Sequence, residues 1–427
     1  MLLLFEIEDV RGGYALDSRG SPTVRVMVRT AGGSVGVALA PSGASRGVRE
    51  ALELRDGGLR WAGRGVGLAV GKVNEVIAPR LKGLDVRMQK YIDGLLQALD
   101  GTPNKSRLGA NATTATSLAV AKAASAQLSM PLYSYLGGVG ASTLPVPLMN
   151  MINGGVHAGN ELSFQEFIVI PVGADSFIEA VRLSVEVYWS LKELLKEKYG
   201  RSSLNVGDEG GFAPPMKLSS EAFKALEDAV KRAGYGESHI LLGVDAAASQ
   251  LYDSEYRTYK VDGRTWTAGE LLEYYLRIAS EHPLAYIEDP FNEDDLESTR
   301  ELTSKLGGKT LIVGDDLYVT NPKYLARGVE LKATTGAILK VNQVGTLSEA
   351  LDFASLALKA GLKVVVSHRS GDTEDTFIAD LAVALNTGLI KTGAPARSER
   401  TAKYNRLIEI EEELGPTAKY PGVKAFK

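Results

Sequence analysis

The chain has 427 residues, which at roughly 150 residues per domain predicts two or three domains with a sizeable core. Its formal charge of −4 excludes a strongly basic surface of the kind that recruits nucleic acid or an anionic membrane, and its 44% hydrophobic and 23% charged residues are ordinary for a globular protein. The absence of cysteine excludes disulfides, thiolate zinc sites, iron–sulfur clusters and a cysteine nucleophile.

The first ten residues, MLLLFEIEDV, are apolar only at their start and carry neither a basic leader nor a small-residue cleavage site. We interpret them as a first strand and not as a signal peptide. No apolar run reaches the roughly 18 residues that a membrane-spanning helix needs. The sequence therefore predicts a cytoplasmic protein with no membrane insertion and no requirement for nucleic acid.

The first part of the chain has the pattern of strands followed by helices. We predict three strands and then three helices, at residues 2–10, 23–29 and 34–40 and at residues 66–80, 87–99 and 111–128. This order is typical of an α+β unit, which we assign to residues 1–136. The segment 137–147 is rich in glycine, proline and small residues, and we predict that it is a linker.

From residue 148 to 427 short apolar runs alternate with helical patterns. Six of these runs end at a charged or protonatable residue: Asp245, Glu288, Asp315, Lys340, His368 and Lys391. Most successive ends are separated by the 25–30 residues that one strand, turn and helix consume, and the longer first step leaves room for a hairpin at 252–261. Repeated β-α steps predict a parallel sheet, either a barrel or a doubly wound sheet.

The charged strand ends predict a metal site. In a closed barrel Asp245, Glu288 and Asp315 would converge on one rim, where three close carboxylates need a compensating cation. All-oxygen ligation without histidine or cysteine favours Mg²⁺. Lys340 and Lys391 end neighbouring strands, and a lysine near metal ions and other cations can have a lowered pKa and act as a general base. Any one of these acids alone would be an ordinary helix cap.

Three polar loops add candidate binding residues. Glycine-rich segments at 153–160 and 205–215 carry His157 and Glu209, where the backbone can approach a ligand closely. The segment 367–371 presents an arginine fork and two hydroxyls, as an anion cradle does, although it could also be a capped turn before a helix.

A rival interpretation rests on Gly43–Gly47, which fits the G-x-S-x-G pattern of a serine hydrolase with Ser45 as the nucleophile. The pattern is short and lies in the unit that lacks β-α alternation, after a proline that breaks the strand. We therefore interpret it as a loop.

The ordered motifs together resemble the enolase family, the phosphopyruvate hydratases of glycolysis. In chain order the motifs are DSRGSP (17–22), SGAS (42–45), NGGVHAGN (153–160), QEF (165–167), GDEGGF (207–212), IEDPF (287–291), GDDL (314–317), LKVNQ (339–343) and SHRSG (367–371). The resemblance implies reversible dehydration of 2-phospho-D-glycerate to phosphoenolpyruvate. It also implies a modified (β/α)8 barrel with a smaller N-terminal α+β capping domain, and two Mg²⁺ per active site.

The resemblance also implies roles for particular residues. Lys340 is expected to be the base, and Glu209 the acid, assisted by Glu166. The expected metal ligands are Asp245, Glu288 and Asp315 for the first ion and Ser42 for the second. The expected substrate-binding residues are His157, Glu166, Arg369, Ser370, Lys391, Ser42 and His368, with Lys391 at the carboxylate and Arg369 and Ser370 at the phosphate.

Two further alternatives stay open on the sequence. The same fold could act on a sugar acid or another carboxylate, although such relatives typically lack a phosphate-binding loop. A non-catalytic role would use Lys427 to dock to a lysine-binding partner, in an additional cell-surface or secreted pool. The resemblance suggests a homo-oligomer, a dimer or an octamer.

Overall fold

Three antiparallel strands form the N-terminal sheet in the order β1-β2-β3. They are β1 (Ile7–Leu16), β2 (Pro22–Thr30) and β3 (Val35–Leu39). The computed structural model describes residues 2–43 and 49–427, so Ser45 lies outside the described residues. The predicted first strand is partly wrong, because Leu2–Phe5 forms a 3₁₀ turn. The partner strand β2 ends opposite Ile7, which leaves the preceding residues without a strand to pair with.

Short helices follow the sheet and cover one of its faces. They are α1 (Gly67–Gly71), α2 (Ala78–Leu81), α3 (Gln89–Asp100), α4 (Ala110–Gln127) and α5 (Leu132–Gly137). A π-helical turn joins α1 to α2, so one predicted helix is observed in three parts. The helix α4 is buried almost all round because its alanines and threonines let it approach the sheet closely. At Gly36, a Cβ atom would lie 2.2 Å from the Ala119 carbonyl oxygen.

Eight strands close into a barrel. These strands are β4 (Val146–Asn153), β5 (Glu166–Ile170), β6 (Leu241–Asp245), β10 (Leu284–Glu288), β11 (Leu311–Gly314), β12 (Gly336–Leu339), β13 (Lys363–Ser367) and β14 (Leu389–Lys391). Their order around the barrel is β10-β11-β12-β13-β14-β4-β5-β6. The predicted barrel is confirmed, and the doubly wound alternative is wrong. The strand β4 begins at Val146, inside the segment predicted to be a linker.

One barrel strand departs from the parallel pattern. The strand β5 runs antiparallel to both β4 and β6, whereas the other neighbouring pairs are parallel. The first residue of β5, Glu166, therefore lies opposite the last residue of β6, Asp245. A reversed strand brings its N-terminal end to the rim where the parallel strands bring their C-terminal ends.

Helices surround the barrel, and a small three-stranded sheet leaves it after β6. The helices are α6 (Phe177–Tyr199), α7 (Ser219–Arg232), α8 (Ala268–Glu281), α9 (Leu296–Leu306), α10 (Pro322–Leu331), α11 (Val341–Val344), α12 (Leu347–Lys359), α13 (Phe377–Ala384) and α14 (Ser398–Leu414). The small sheet is β7 (Tyr252–Asp253), β8 (Thr258–Val261) and β9 (Arg264–Trp266), where a hairpin was predicted. Across residues 2–43 and 49–427, no helix has the length and apolar character that crossing a membrane requires.

A buried carboxylate ties the N-terminal unit to the barrel. Asp93 of α3 accepts hydrogen bonds from the backbone nitrogen (2.9 Å) and hydroxyl (2.6 Å) of Ser348 in the first turn of α12. Ser117 of α4 donates to Asp93 (2.6 Å) and accepts from the Leu347 nitrogen (2.9 Å). The first N–H groups of a helix have no partner within that helix. Here the N-terminal unit supplies the partners for a barrel helix.

We expect Asp93→Ala to lower the free energy of unfolding by about 1–3 kcal/mol, because it leaves buried donors without an acceptor. Urea unfolding followed by circular dichroism measures the loss. The matched control is Asp352→Ala, which removes an exposed carboxylate that pairs with Lys90 at 3.4 Å across the same boundary. The control should be indistinguishable from the wild type. Equal losses for the two variants would contradict the role assigned to Asp93.

Candidate active site

The polar strand ends meet in a cavity at the barrel rim. Ten of the twelve predicted site residues line it: His157, Glu166, Glu209, Asp245, Asp315, Lys340, His368, Arg369, Ser370 and Lys391. The side chain of each is largely removed from solvent. Parallel strands bring their carboxyl ends to one rim, and this is where TIM-barrel enzymes hold their active sites.

Lys391 lies at the centre of a cluster of carboxylates. Its Nζ atom is 2.7 Å from Asp245 Oδ2, 2.8 Å from Glu288 Oε2 and 3.0 Å from Glu166 Oε1. Burial alone would lower the pKa of Lys391, but the three carboxylates outweigh it and raise that pKa well above its usual value. Lys391 is therefore a cation that holds three buried carboxyl groups together.

Glu288 is fully buried beside Asp245 and accepts a short hydrogen bond from the Tyr286 hydroxyl. Burial and the Asp245 charge raise the pKa of Glu288 to about 8, against the opposing effect of Lys391. Its second oxygen, Oε1, has no hydrogen-bond partner among the described residues. A buried acceptor without a partner is rare in proteins and marks a position where a ligand can bind.

Lys340 and Asp315 form a second ion pair. They directly follow the neighbouring strands β12 and β11. The Lys340 amine donates a short hydrogen bond to Asp315 Oδ2, and the Gln343 amide donates to Oδ1 at 2.9 Å. The sequence predicts a lowered pKa for Lys340. In the structure burial does act in that direction, but the Asp315 carboxylate outweighs it, and the pKa of Lys340 is raised. The amine is thus charged in the protein without substrate.

A second acidic group lies beside this pair and was not singled out from the sequence. Asp289 accepts hydrogen bonds from the backbone nitrogens of Asp315 (2.9 Å) and Asp316 (2.8 Å). Burial and the neighbouring carboxylates raise the pKa of Asp316 to about 7 and that of Asp289 well above its ordinary value. The doubled acids at 288–289 and 315–316 were the available signal in the sequence.

The predicted metal triad is arranged around the lysines. Asp245 and Glu288 share the Lys391 amine, whereas Asp315 is held by Lys340. Among the described residues, the groups of three ligand atoms that lie within 4.8 Å of one another are His157, Glu166 and Glu209, and separately Asp289, Asp315 and Asp316. The triad Asp245, Glu288 and Asp315 is not such a group, so its role as a metal site stays a prediction.

Glu209 lies between two histidines. His368 Nε2 is 3.3 Å and His157 Nδ1 is 3.6 Å from Glu209 Oε1, and the Asn150 amide donates to Oε2 at 3.2 Å. Burial raises the pKa of Glu209, but His368, His157 and Arg400 outweigh it and hold the pKa well below its usual value.

The neighbouring Glu166 has the opposite shift. Burial and the Glu209 charge raise the pKa of Glu166 well above its ordinary value, although Lys391 opposes them. Two close carboxylates thus have pKa values that are driven apart, which is the pattern of an acid–base pair.

Arg369 forms the other end of the cavity together with a residue of the N-terminal unit. Its guanidinium donates to the two oxygens of Glu50 at 2.7 and 3.1 Å and to the Asn342 side chain at 3.3 Å. Both partners are buried, with side chains 4% and 7% exposed. An arginine fork that binds a carboxylate at two points has the geometry that also suits phosphate. The sequence showed no signal for Glu50.

Ser42 is buried but does not line the cavity. Its hydroxyl donates to Glu53 at 3.0 Å and accepts from Arg55 at 3.2 Å. Its backbone exchanges two hydrogen bonds with Gly371, so it lies against the loop that carries Arg369. Its role as a metal ligand therefore stays a prediction, and it requires the hydroxyl to turn away from Glu53.

Family models match both parts of the chain. Residues 7–136 match the enolase N-terminal domain, and residues 141–427 match the enolase C-terminal TIM barrel domain. The enolase of Aeropyrum pernix is 59% identical over 419 residues, which are 98% of this chain and 96% of that protein. The enolase of Pyrococcus furiosus is 58% identical over 424 residues, 99% of this chain and 98% of that protein. The enolase of Methanocaldococcus jannaschii is 57% identical, with 98% and 97% covered.

We expect Lys391→Met to lower the free energy of unfolding by about 3–5 kcal/mol, because it leaves buried carboxylates without their cation. Urea unfolding in the presence of a chelator measures this loss. The control is Lys305→Met, which removes an exposed lysine that pairs with Glu301 (3.2 Å) and Glu273 (3.6 Å) on the surface. It should leave the unfolding midpoint unchanged. If both variants unfold at the same urea concentration, the central role of Lys391 is wrong.

Proposed function

The chain belongs to the enolase family, and from this we infer that it catalyses the reversible dehydration of 2-phospho-D-glycerate to phosphoenolpyruvate and water in glycolysis. The protein is thus a hydro-lyase that acts on a small phosphorylated hydroxy acid. The observation that carries this assignment is the match of both family domains over nearly the full chain. The convergence of ten predicted residues in one buried cavity supports it.

We propose that the substrate lies across the cavity, with its phosphate at Arg369 and Ser370 and its carboxylate at Lys391. Two separate cations in the cavity support this orientation, since each matches one anionic group. His157 and His368 complete the binding site on the side of Glu209. In the absence of substrate Glu50 occupies the Arg369 fork, so the phosphate has to share or replace that carboxylate.

We propose that Lys340, after its ammonium group has lost a proton to solvent, removes the proton from the carbon beside the substrate carboxylate. The electrons of the C–H bond are first held on the substrate carboxylate and then form the carbon–carbon double bond as the C–O bond breaks, and Glu209 gives the departing hydroxyl a proton that it takes up from Glu166. The anionic substrate supports this role for Glu209, because a nearby negative charge raises the pKa of a carboxyl group. Glu166 holds the proton of the pair before substrate binds and positions Glu209.

The family implies a divalent metal, and we propose two Mg²⁺ ions, the first held by Asp245, Glu288 and Asp315 and the second by Ser42 and the substrate phosphate. The donor set supports a hard cation, because it consists of oxygen ligands. The unpartnered oxygen Glu288 Oε1 supports it as well. Mg²⁺ bound there would offset the second negative charge that develops on the substrate carboxylate, and Asp315 would then be shared between the ion and the Lys340 amine.

We further propose that the protein works in the cytoplasm as a homo-oligomer, a dimer or an octamer. The strand β1 lies at the edge of its sheet and exposes Tyr14 and Leu16 on one face. Exposed apolar side chains on one face of a sheet favour association with another chain. An additional cell-surface pool has no support beyond the exposed C-terminal Lys427.

With Mg²⁺ in excess, the wild-type protein should produce phosphoenolpyruvate, measured by ultraviolet absorbance, and EDTA should stop the reaction. Lys340→Ala should abolish exchange of the substrate carbon-bound proton with solvent, measured by NMR in deuterium oxide. Glu209→Gln is the matched variant, which should keep this exchange but lose dehydration, because it removes the acid and spares the base. Exchange that persists without Lys340 would exclude it as the base.

Mg²⁺ binding should release a proton below about pH 8. Glu288, with its pKa raised to about 8, is protonated there in the metal-free protein, and only its carboxylate can ligate the ion. Apparent affinity should therefore rise with pH by up to about tenfold per unit and level off above about pH 8. Calorimetry in two buffers of different ionisation enthalpy measures the proton release. Affinity that is constant from about pH 6 to about pH 8 would contradict this coupling.

A further inference from the structure

A buried arginine outside the cavity joins the two loops that carry the acid and the phosphate-binding residues. Arg400 lies in the first turn of α14, and its side chain is fully buried. Its guanidinium donates to the carbonyl oxygens of Asp208 (3.0 Å), Arg369 (2.6 Å) and Ser370 (2.5 Å), and lies 2.7 Å from His368 Nδ1. One side chain therefore sets the spacing between residues more than 150 positions apart in the chain.

The contact with Arg400 determines the tautomer of His368. An arginine side chain has only donors, so the Nδ1 atom that faces it at 2.7 Å has to be an acceptor. Burial and the Arg400 charge lower the pKa of His368 to about 4, against the effect of Glu209, so the ring is neutral. A neutral imidazole that accepts at Nδ1 carries its proton on Nε2. That atom lies 3.3 Å from Glu209 Oε1 and has no hydrogen-bond partner among the described residues.

The backbone at Gly393 packs closely against Arg400. Gly393 lies against it with a φ of +80°, and a Cβ atom there would be 2.9 Å from Arg400 Cδ, 3.1 Å from His368 Cε1 and 2.7 Å from the Glu209 carbonyl oxygen. The Ala394 nitrogen donates to that same carbonyl oxygen at 2.9 Å. The loop that follows β14 thus packs tightly against Arg400, His368 and the Glu209 backbone.

We propose that Arg400 is a positioning residue for the acid step: its donor-only contact holds His368 in the tautomer that presents Nε2–H to Glu209, and its carbonyl contacts hold Glu209 in register with the phosphate-binding loop. This proposal rests on the assignment of Glu209 as the acid in the proposed function. Arg400 touches neither the cavity nor the substrate, so it acts through His368 and the backbone. It should therefore affect dehydration much more than proton abstraction by Lys340.

The test compares two reactions and one spectrum in Arg400→Met. At saturating substrate and Mg²⁺, dehydration should fall about 100-fold, the usual cost of a misplaced catalytic group, while exchange of the substrate proton keeps the wild-type rate. In the nitrogen NMR spectrum of the metal-free wild type, His368 Nδ1 should resonate as an unprotonated acceptor. The variant should show a mixture of tautomers. With only four histidines in the chain, the spectrum of His368→Gln assigns the signal.

The control is Arg406→Met, on the same helix, which pairs with Asp380 at 2.9 Å away from the cavity and should keep both reaction rates and the His368 signal. Equal loss of exchange and dehydration in Arg400→Met, or an unchanged His368 tautomer, would overturn the proposal. A wild-type protein without activity would instead refute the proposed function, because the spectrum requires no turnover.

If Arg400→Met does not fold, His368 itself decides the question. Glutamine can accept from Arg400 through its oxygen and donate to Glu209 through its nitrogen, as the inferred tautomer does, whereas leucine can do neither. His368→Gln should therefore dehydrate at least about tenfold faster than His368→Leu, the loss expected for about 1.4 kcal/mol of missing stabilisation in the transition state. Equal rates for these two variants would overturn the proposal.

Discussion

The site depends on how buried like charges are balanced at the barrel rim. The strands β6, β10 and β14 end in two carboxylates and one lysine, and no bulk water surrounds them. The Lys391 amine lies within 3.0 Å of three carboxylates, so its charge replaces the solvation that burial removes. A cation fixed by the fold also needs no rearrangement when negative charge grows on a substrate, which is the condition for electrostatic stabilisation of a transition state.

The reversed strand β5 explains why the rim holds a carboxyl group with a raised pKa beside one with a lowered pKa. Because β5 runs against its neighbours, its first residue, Glu166, joins the strand ends and lies opposite Asp245. Glu166 thereby lies close to Glu209, which is on a loop. Two carboxyl groups this close do not both ionise readily. Histidines surround Glu209 and lower its pKa, whereas burial raises that of Glu166. A single proton can thus be stored in the cavity.

The N-terminal unit contacts the loop that carries Arg369. Glu50 reaches Arg369, and Ser42 pairs through its backbone with Gly371, so this loop is held from the N-terminal unit. Asp93 keeps that unit in place by accepting from the first turn of α12, which follows the strand of Lys340. The candidate site and the contact between the two units therefore involve the same short segments.

The sequence by itself determined the parallel strands and most of the rim, because a buried parallel strand is a continuous apolar run and its end is marked by the first charged residue, as at Asp245, Glu288 and Lys391. The motif order then indicated the family and, with it, the barrel. Only the tertiary structure decided the direction of β5, since a short apolar strand has the same composition in either direction. It also decided the pairing of Arg369 with Glu50 and of Arg400 with His368, because these partners are separated by 319 and 32 positions and no local pattern relates them. The direction of the Lys340 pKa shift could not be predicted from the sequence for the same reason. It depends on whether the Asp315 carboxylate or a neighbouring cation lies closer to the amine, and that is a distance in space.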